Sequence, residues 1–257
     1  METSGNPAGS TVTVAQDQVY DLRPATDSNM PEPILIVSAG HTYRDLQRDL
    51  GDFADWIEQG LGAPESVARI DARTGLELPA LNSLAGIVVT GSHAMVTDRL
   101  DWSERLAAWV RDAVAGEGPV LGICYGHQLL AHACGGVVGD RPQGRELGTV
   151  SIELNAEGRD DPLFDGMPPN FPGNIAHQQS VLTLPPDAVR LASSAAEANQ
   201  AFRLGSCAWG VQFHPEFSGE VMRHYVVRSN APDADQSARD TPVAAKVLVN
   251  FRAACGA

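Results

Sequence analysis

Positive charge is scarce in this chain. Of its 257 residues only 18 are Lys or Arg, against 32 Asp or Glu, giving a formal net charge of −14. A surface of that sign repels phosphate backbones and anionic lipid, so neither nucleic acid nor a membrane surface is an expected partner. Lysine is nearly absent: Lys246 stands alone and every other basic residue is arginine, a bias that genomic base composition explains as readily as chemistry. Long apolar runs are missing too. Pro33–Ala39 and Ala85–Thr90 are strand-sized, well below the ~18 residues of a membrane span. The opening residues METSGNPAGS carry no basic n-region and no apolar h-region, so no secretory signal is expected. The four cysteines, Cys124, Cys134, Cys207 and Cys255, form no CxxC pair and no compact disulfide framework. A reducing, cytoplasmic setting is the expectation.

What is present is enough for a core. A hydrophobic content of 43% over this length excludes wholesale disorder and fits one domain with tails. Residues 1–30, rich in Ser, Thr, Gly, Pro, Asn and Asp, read as a flexible N-terminal extension. Residues 31–257 read as a single domain, with a core over 33–228 and a C-terminal linker and helix over 229–257.

Within the core, the runs Ile34–Val37, Val67–Ile70, Gly86–Thr90 and Pro119–Ile123 read as buried strands. Leu46, Leu50, Phe53, Ile57 and Leu61 describe one face of a helix between the first two. Trp102, Leu106, Trp109, Val110 and Ala113 describe another, and Tyr125–Cys134 a third, closed by Gly135 and Gly136. Continuous apolar strands alternating with helices indicate an α/β fold, with a mostly parallel sheet covered on both faces. The second half offers shorter strands at Leu147–Leu154, Ile175–Val181, Val189–Ser194, Gln200–Leu204 and Ala208–Phe213, an expected antiparallel extension. Ser218–Arg228 and Pro242–Ala254 close the chain as helices.

The chemistry concentrates at Leu121-Gly122-Ile123-Cys124-Tyr125-Gly126-His127-Gln128. One cysteine stands between the end of a strand and the start of a helix, with Gly122 and Gly126 relieving the crowding of a tight bend. At a helix N-terminus the free N–H groups and the dipole favour a thiolate, and the N–H of Tyr125 can hold an oxyanion. A lone cysteine is more often a small buried hydrophobe. This one has company: Gln212-Phe213-His214-Pro215-Glu216 puts an imidazole and a carboxylate two apart at a strand end, facing one way by the strand period. That pairing can accept a thiol proton and return it to a leaving amine.

Together the elbow and the His-x-Glu segment resemble the class I, triad-type glutamine amidotransferases, most nearly the stand-alone proteins similar to the glutaminase domain of GMP synthase. The resemblance runs from about Pro33 to Arg228 and includes Asn199–Arg203 and Trp209–Glu216. It implies a flavodoxin-like fold and a catalytic triad of Cys124, His214 and Glu216. It further implies that Gln128 contacts glutamine, and that the backbone of Gln179, Ser180 and Val181 holds the substrate's α-amino and α-carboxylate groups. After its third strand the family usually carries a Gly-Gly-Pro-like loop. Here the chain reads Thr90-Gly91-Ser92-His93-Ala94, so Gly91 falls in the substrate loop, the backbone N–H of Ser92 completes the oxyanion hole, and His93 replaces the proline. His93 is either a substrate contact or a loop residue, and with Met95 it is a candidate gate. His41, His127 and His177 read as structural, with no companions at metal-ligand spacing, so no metal and no cofactor is expected.

The implied activity is hydrolysis of the γ-amide of L-glutamine through a cysteinyl-glutamyl thioester, with ammonia passing to a separate acceptor synthase. The residues outside the glutaminase-like unit are too few for an ATP-dependent synthetase, and no G-x-x-x-x-G-K-[ST] loop occurs. The alternative is a free-standing γ-glutamyl hydrolase or peptidase. A catalytically idle binding subunit is the remaining reading, opposed by the intact Cys124, His214 and Glu216.

Overall fold

The structure, a computed structural model, describes residues 32–62, 67–229 and 238–256. The expected extension over 1–30 and residues 230–237 of the linker lie outside the described residues. The first half runs β1 (Ile34–Ser38), α1 (Arg44–Leu50), α2 (Phe53–Leu61), β2 (Val67–Asp71), β3 (Gly86–Val89), α3 (Asp101–Ala115), β4 (Val120–Ile123) and α4 (Tyr125–Ala133). The second half runs β5 (Val137–Asp140), β6 (Glu146–Leu154), α5 (Ala156–Arg159), β7 (Asn170–His177), β8 (Gln179–Thr183), β9 (Val189–Ser193), β10 (Ala201–Leu204), β11 (Ala208–Val211), α6 (Gly219–Arg228) and α7 (Lys246–Ala254).

Nine strands form one sheet in the order β2-β1-β3-β4-β11-β10-β9-β6-β7. The first five run parallel and the rest continue antiparallel. Strand alternation sends Ile34 and Ile36 of β1 to one face and Leu35 and Val37 to the other. Val247, Leu248 and Phe251 of α7 join Ile57 and Leu61 of α2 on the first face. Leu106 and Val110 of α3 and Leu129 and Leu130 of α4 cover the second. The α/β architecture with an antiparallel extension is therefore as expected.

Two expected elements are divided in the structure. The run Leu46–Leu61 keeps one apolar period, yet it forms two helices. Gly51 takes φ +87, and Asp52 starts a new helix by accepting the Phe53 N–H at 2.8 Å while its own N–H donates to Asp55 at 2.8 Å. This reciprocal cap satisfies helix-end donors and outweighs continuity of the apolar stripe. The run Ile175–Val181 likewise breaks at Gln178, because β7 pairs with β6 while β8 pairs with β5 in a separate two-stranded sheet. The sequence reading does not include β5.

The antiparallel extension is tied back by Asp161, whose side chain is almost fully buried. It accepts from Arg203 Nε at 2.7 Å, Trp209 Nε1 at 2.9 Å and the Leu163 N–H at 3.0 Å. Removing the carboxylate strands a guanidinium and an indole N–H, so Asp161→Ala is expected to cost about 3 kcal/mol. Urea unfolding measures this; a loss under ~1 kcal/mol excludes a structural role of that size.

Candidate active site

The carboxyl ends of β1, β3, β4 and β11 meet at one edge of the sheet, where α/β proteins place their ligand sites. Cys124 follows β4 directly and precedes α4. Its backbone is at φ +51, ψ −98, a conformation that side chains other than glycine rarely adopt. The bend is held by the Cys124 N–H donating to Val211 O at 2.8 Å and by Cys124 O accepting the Gln128 N–H at 3.1 Å. Gly122 and Gly126 make it sterically feasible. A Cβ on Gly122 would lie 2.3 Å from Gly126 O, and one on Gly126 would lie 2.3 Å from Val89 O. The Tyr125 side chain turns away, its hydroxyl 2.5 Å from Ser103 Oγ, so its contribution here is its backbone N–H at the first turn of α4.

His214 and Glu216 meet, but not by strand alternation. β11 ends at Val211, and the pair sit in the turn beyond it, where Glu216 curls back to accept from His214 Nδ1 at 2.7 Å. Buried Asn174 holds that turn: its carbonyl accepts the His214 N–H at 2.7 Å and its Nδ2 donates to Phe217 O at 3.1 Å. The Phe217 ring stacks on His214 at 3.9 Å, and Phe53 lies parallel to it at 6.3 Å. With Nδ1 engaged by Glu216, Nε2 is the ring nitrogen left over, and Cys124 is near enough for its charge to act on the ring. Burial disfavours the charged ring, but the charges of Glu216 and Cys124 and hydrogen bonds to both outweigh it, pushing His214 up to about 10.

A cavity of about 180 Å³ opens over Cys124, lined among others by Tyr43, Ser92, His93, Met95, Gln128, Arg145, Gln178 and Gln179. Thr90 shapes the loop that carries Ser92, accepting the Ala39 N–H at 3.0 Å and donating to Gly91 O at 2.9 Å. Gln128 spends its Nε2 donors on Gln179 O at 2.7 Å and Gln212 Oε1 at 3.0 Å, so it has only its oxygen to offer a ligand. Gln179 lines the wall, its side chain held by Thr97 at 2.7 Å and Asp140 at 3.1 Å.

Other expected positions fall elsewhere. Ser180 and Val181 do not line the cavity: Ser180 Oγ donates to the buried Glu197, and Val181 packs into the core with its carbonyl taken by Asn199. Alternation turns Ser180 to the face opposite Gln179, while Val181, further along β8, is taken into the core. Gly91 sits beside His214, where a Cβ would come within 3.1 Å of ring carbon Cε1. His93 does line the cavity, its ring tilted against Tyr43 at 4.5 Å between centroids and its Nε2 3.2 Å from the Tyr225 hydroxyl. Burial, then the charges of Arg145 and His214, push it down, so it is neutral at neutral pH. His127 is wholly buried against Phe202, and burial drives it down to about 3. Asn174, Thr90, Tyr43, Gln178 and Arg145 carry no motif that marks them in the sequence; only their place in the fold does. Among the described residues no group of three or more His, Cys, Asp or Glu is placed to hold a metal ion, and no helix is long and apolar enough to cross a membrane.

This geometry has relatives. Residues 60–233 match the family described as Glutamine amidotransferase class-I. The GMP synthase [glutamine-hydrolyzing] of Aeropyrum pernix is 34% identical over 77% of this chain and 36% of its own length. Gamma-glutamyl peptidase 3 of Arabidopsis thaliana is 30% identical over 58% of this chain and 61% of its own. The chain thus spans less than two thirds of either relative. A crystal structure of a glutamine amidotransferase from Methylobacillus flagellatus superposes with TM-score 0.67 at 26% identity, covering 86% of this chain and 93% of that one. One from Thermotoga maritima shares the fold at TM-score 0.68 and 20% identity, covering 87% of this chain and 97% of that one. The chain belongs to the class I glutamine amidotransferase family.

Beside the cavity His41 lies between two carboxylates, Asp52 at 2.5 Å and Asp71 at 3.4 Å. Hydrogen bonds to both raise it from 6.5 to about 9. A raised folded-state value stabilises fully below 6.5 and loses that stabilisation as pH climbs through about 9. The melting-temperature gap between the wild type and His41→Gln should therefore be widest near pH 6 and shrink toward pH 9, as read by thermal melts across that range. A gap independent of pH would remove His41 from the charge balance.

Proposed function

We propose that the protein hydrolyses the γ-amide of L-glutamine, or the γ-glutamyl amide bond of a closely related compound. The observation that carries this reading is the His214–Glu216 pair, joined at 2.7 Å and set against a cysteine on a strained strand-to-helix bend. The Cys124 thiolate attacks the γ-carbonyl carbon, and the carbonyl electrons move onto oxygen. The backbone N–H groups of Tyr125 and Ser92 hold that oxyanion. When the oxyanion collapses, the C–N bond breaks and His214 gives its proton to the departing nitrogen, leaving a glutamyl thioester on Cys124. Water then loses a proton to His214 and attacks the thioester; glutamate leaves and the thiolate is restored. Glu216 keeps the ring oriented and favours its protonated form. Gln128 and the wall at Gln178 and Gln179 position the glutamyl part.

When glutamine is the substrate, the leaving group is ammonia, and its acceptor is a separate synthase. A γ-glutamyl compound with a larger amine is the second reading. What favours it is the relative named Gamma-glutamyl peptidase 3, 30% identical over 58% of this chain.

Glutamate release by the purified protein tests both readings. Cys124→Ala and His214→Ala should each lower kcat by ~10⁴-fold or more, since such groups act as a unit, and Glu216→Gln should cost less. An electrophilic glutamine analogue should label Cys124 alone. Burial pushes the Cys134 thiol up and the Cys255 thiol up to about 12, so neither competes as a thiolate at neutral pH. Mass spectrometry that finds the adduct on Cys134, Cys207 or Cys255 would overturn the assignment.

A further inference from the structure

The loop after β3 carries one of the two oxyanion donors, and its own sequence does little to hold it. Thr90-Gly91-Ser92-His93-Ala94-Met95 contains a glycine and no proline, and it belongs to no strand or helix. Ser92 lines the cavity with Cys124, and its N–H donates to no acceptor among the described residues. That N–H is therefore available to a substrate oxygen. A donor of this kind contributes only if it is already held where charge develops, so the loop needs a restraint from outside itself.

Both ends of the loop are fixed. Thr90 donates its N–H to Val37 O at 3.1 Å and takes the Ala39 N–H on Oγ1 at 3.0 Å. Beyond Met95, Val96 is buried and Thr97 Oγ1 accepts from Gln179 Nε2 at 2.7 Å. Between them Ser92 rests on Gly40, where a Cβ would come within 2.5 Å of its Oγ and 3.0 Å of its Cα. That packing blocks movement toward β1 but not away from it. The restraint against lifting is at the next residue. His93 Nε2 lies 3.2 Å from the Tyr225 hydroxyl of α6, and that hydroxyl lies 2.8 Å from Thr42 Oγ1, between β1 and α1. Tyr225 and Thr42 are buried, and the Tyr225 ring packs on Phe217 at 5.1 Å between centroids. The Thr42 N–H donates in turn to Asp52 Oδ1 at 2.8 Å, at the cap of α2. One side chain thus ties the loop to a buried series of hydrogen bonds that joins α6 to the start of α2.

We propose that His93 and Tyr225 are positioning residues: the bond between them holds the loop down on Gly40 and keeps the Ser92 N–H aimed at the oxyanion over Cys124. This rests on the hydrolytic reading above and adds what keeps one of its two donors in place. Although His93 lines the cavity, its Nε2 already has a partner in the protein, which favours a tether over a substrate contact or a gate. Burial keeps both partners neutral, pushing His93 down and the Tyr225 hydroxyl up. An uncharged amide at position 93 can therefore take over the ring's part of the bond.

The test compares two reagents that modify the Cys124 thiolate, followed by mass spectrometry of the adduct. A chloromethyl ketone analogue of glutamine loses chloride and presents a carbonyl oxygen where the γ-amide oxygen would lie. Methyl methanethiosulfonate is attacked at sulfur, loses methanesulfinate and presents no such oxygen. Tyr225→Phe and His93→Ala should each slow the ketone ~10-fold, short of the ~10²-fold or more for outright loss of a donor. Both should leave the thiosulfonate rate within about twofold. The double variant should match His93→Ala within about twofold, because both changes cut one bond. His93→Gln should recover most of the ketone rate. His93 faces the cavity, so His93→Ala carries the test should Tyr225→Phe not fold. Ketone rates unchanged in the variants overturn the proposal. So does equal slowing of both reagents, which puts the damage at Cys124 or His214, and so do single effects that multiply in the double variant. With L-glutamine and γ-glutamylglycine, kcat should fall with the ketone rate while KM stays within about threefold. A raised KM at unchanged kcat makes His93 a substrate contact and overturns the tether. Wild-type protein that hydrolyses neither compound sinks hydrolysis, and the reagent rates still decide the tether. Hydrolysis with unaltered ketone rates sinks the tether and leaves hydrolysis standing, and a wild type whose Cys124 the ketone does not label overturns both.

Discussion

The arrangement depends on one backbone bend. Cys124 is held at φ +51, ψ −98, and nothing in the residue itself favours that conformation. The bend persists because both of its ends are fixed. β4 is paired in parallel with β3 on one side and β11 on the other, and α4 begins one residue after the cysteine. Between them Gly122, Gly126 and the Val89 carbonyl approach so closely that any side chain would collide with backbone. Strain at one residue is thus supported by two ladders and a helix, and the sulfur is presented at the sheet edge and not inside the sheet.

The base comes from the other half of the chain, and its placement is a matter of strand order. β11 is distant in sequence from β4 but lies beside it, so the turn after β11 arrives at the elbow without a long excursion. Asn174 then does for this turn what the glycines do for the elbow. Its backbone carbonyl and side-chain amide tie down both ends of the 214–217 segment, and Thr149 Oγ1 donates to its Oδ1 at 2.6 Å. The split between α1 and α2 serves the same end. Asp52 caps α2, takes the His41 ring and starts the helix at Phe53, whose ring lies parallel to the His214 imidazole. A continuous helix through Gly51 would give Phe53 no such anchor.

Much of this was legible in the sequence because it rests on local rules. A strand-sized apolar run ending in Gly-x-Cys-x-Gly describes an elbow wherever it occurs, since only glycine tolerates backbone that near. His214 and Glu216 were legible as a pair, though the reason they meet was not: alternation applies to a strand, and β11 ends three residues before His214. Ser180 and Val181 lie off the cavity lining for a reason that is not local. The turn at Gln178 sets which residues of β8 face the cavity, and that turn is decided by pairing with β5, a partner some forty residues away. Asn174 and Tyr225 were invisible for the same reason. A buried asparagine and a buried tyrosine acquire meaning only from what the fold brings to them, and each lies far in sequence from Cys124.

The electrostatics of the site follow from how the molecule places its excess acid. At a net charge of −14 the general field opposes an anionic ligand, so any attraction has to be local. The local pattern supplies it. Around the cavity each carboxylate is turned toward a protein donor: Glu216 to His214, Glu146 to Arg141 and His177, Glu197 to Ser180, Asp140 to Gln179. The cavity is lined by amides, aromatic rings, His93, His177 and Arg145, and no carboxylate of the described residues lines it. The imidazolium His214 stands behind Cys124, paired with Glu216. At short range, with the field of the distant acids screened by salt, a cavity lined in this way is not repelled by the protein's excess acid.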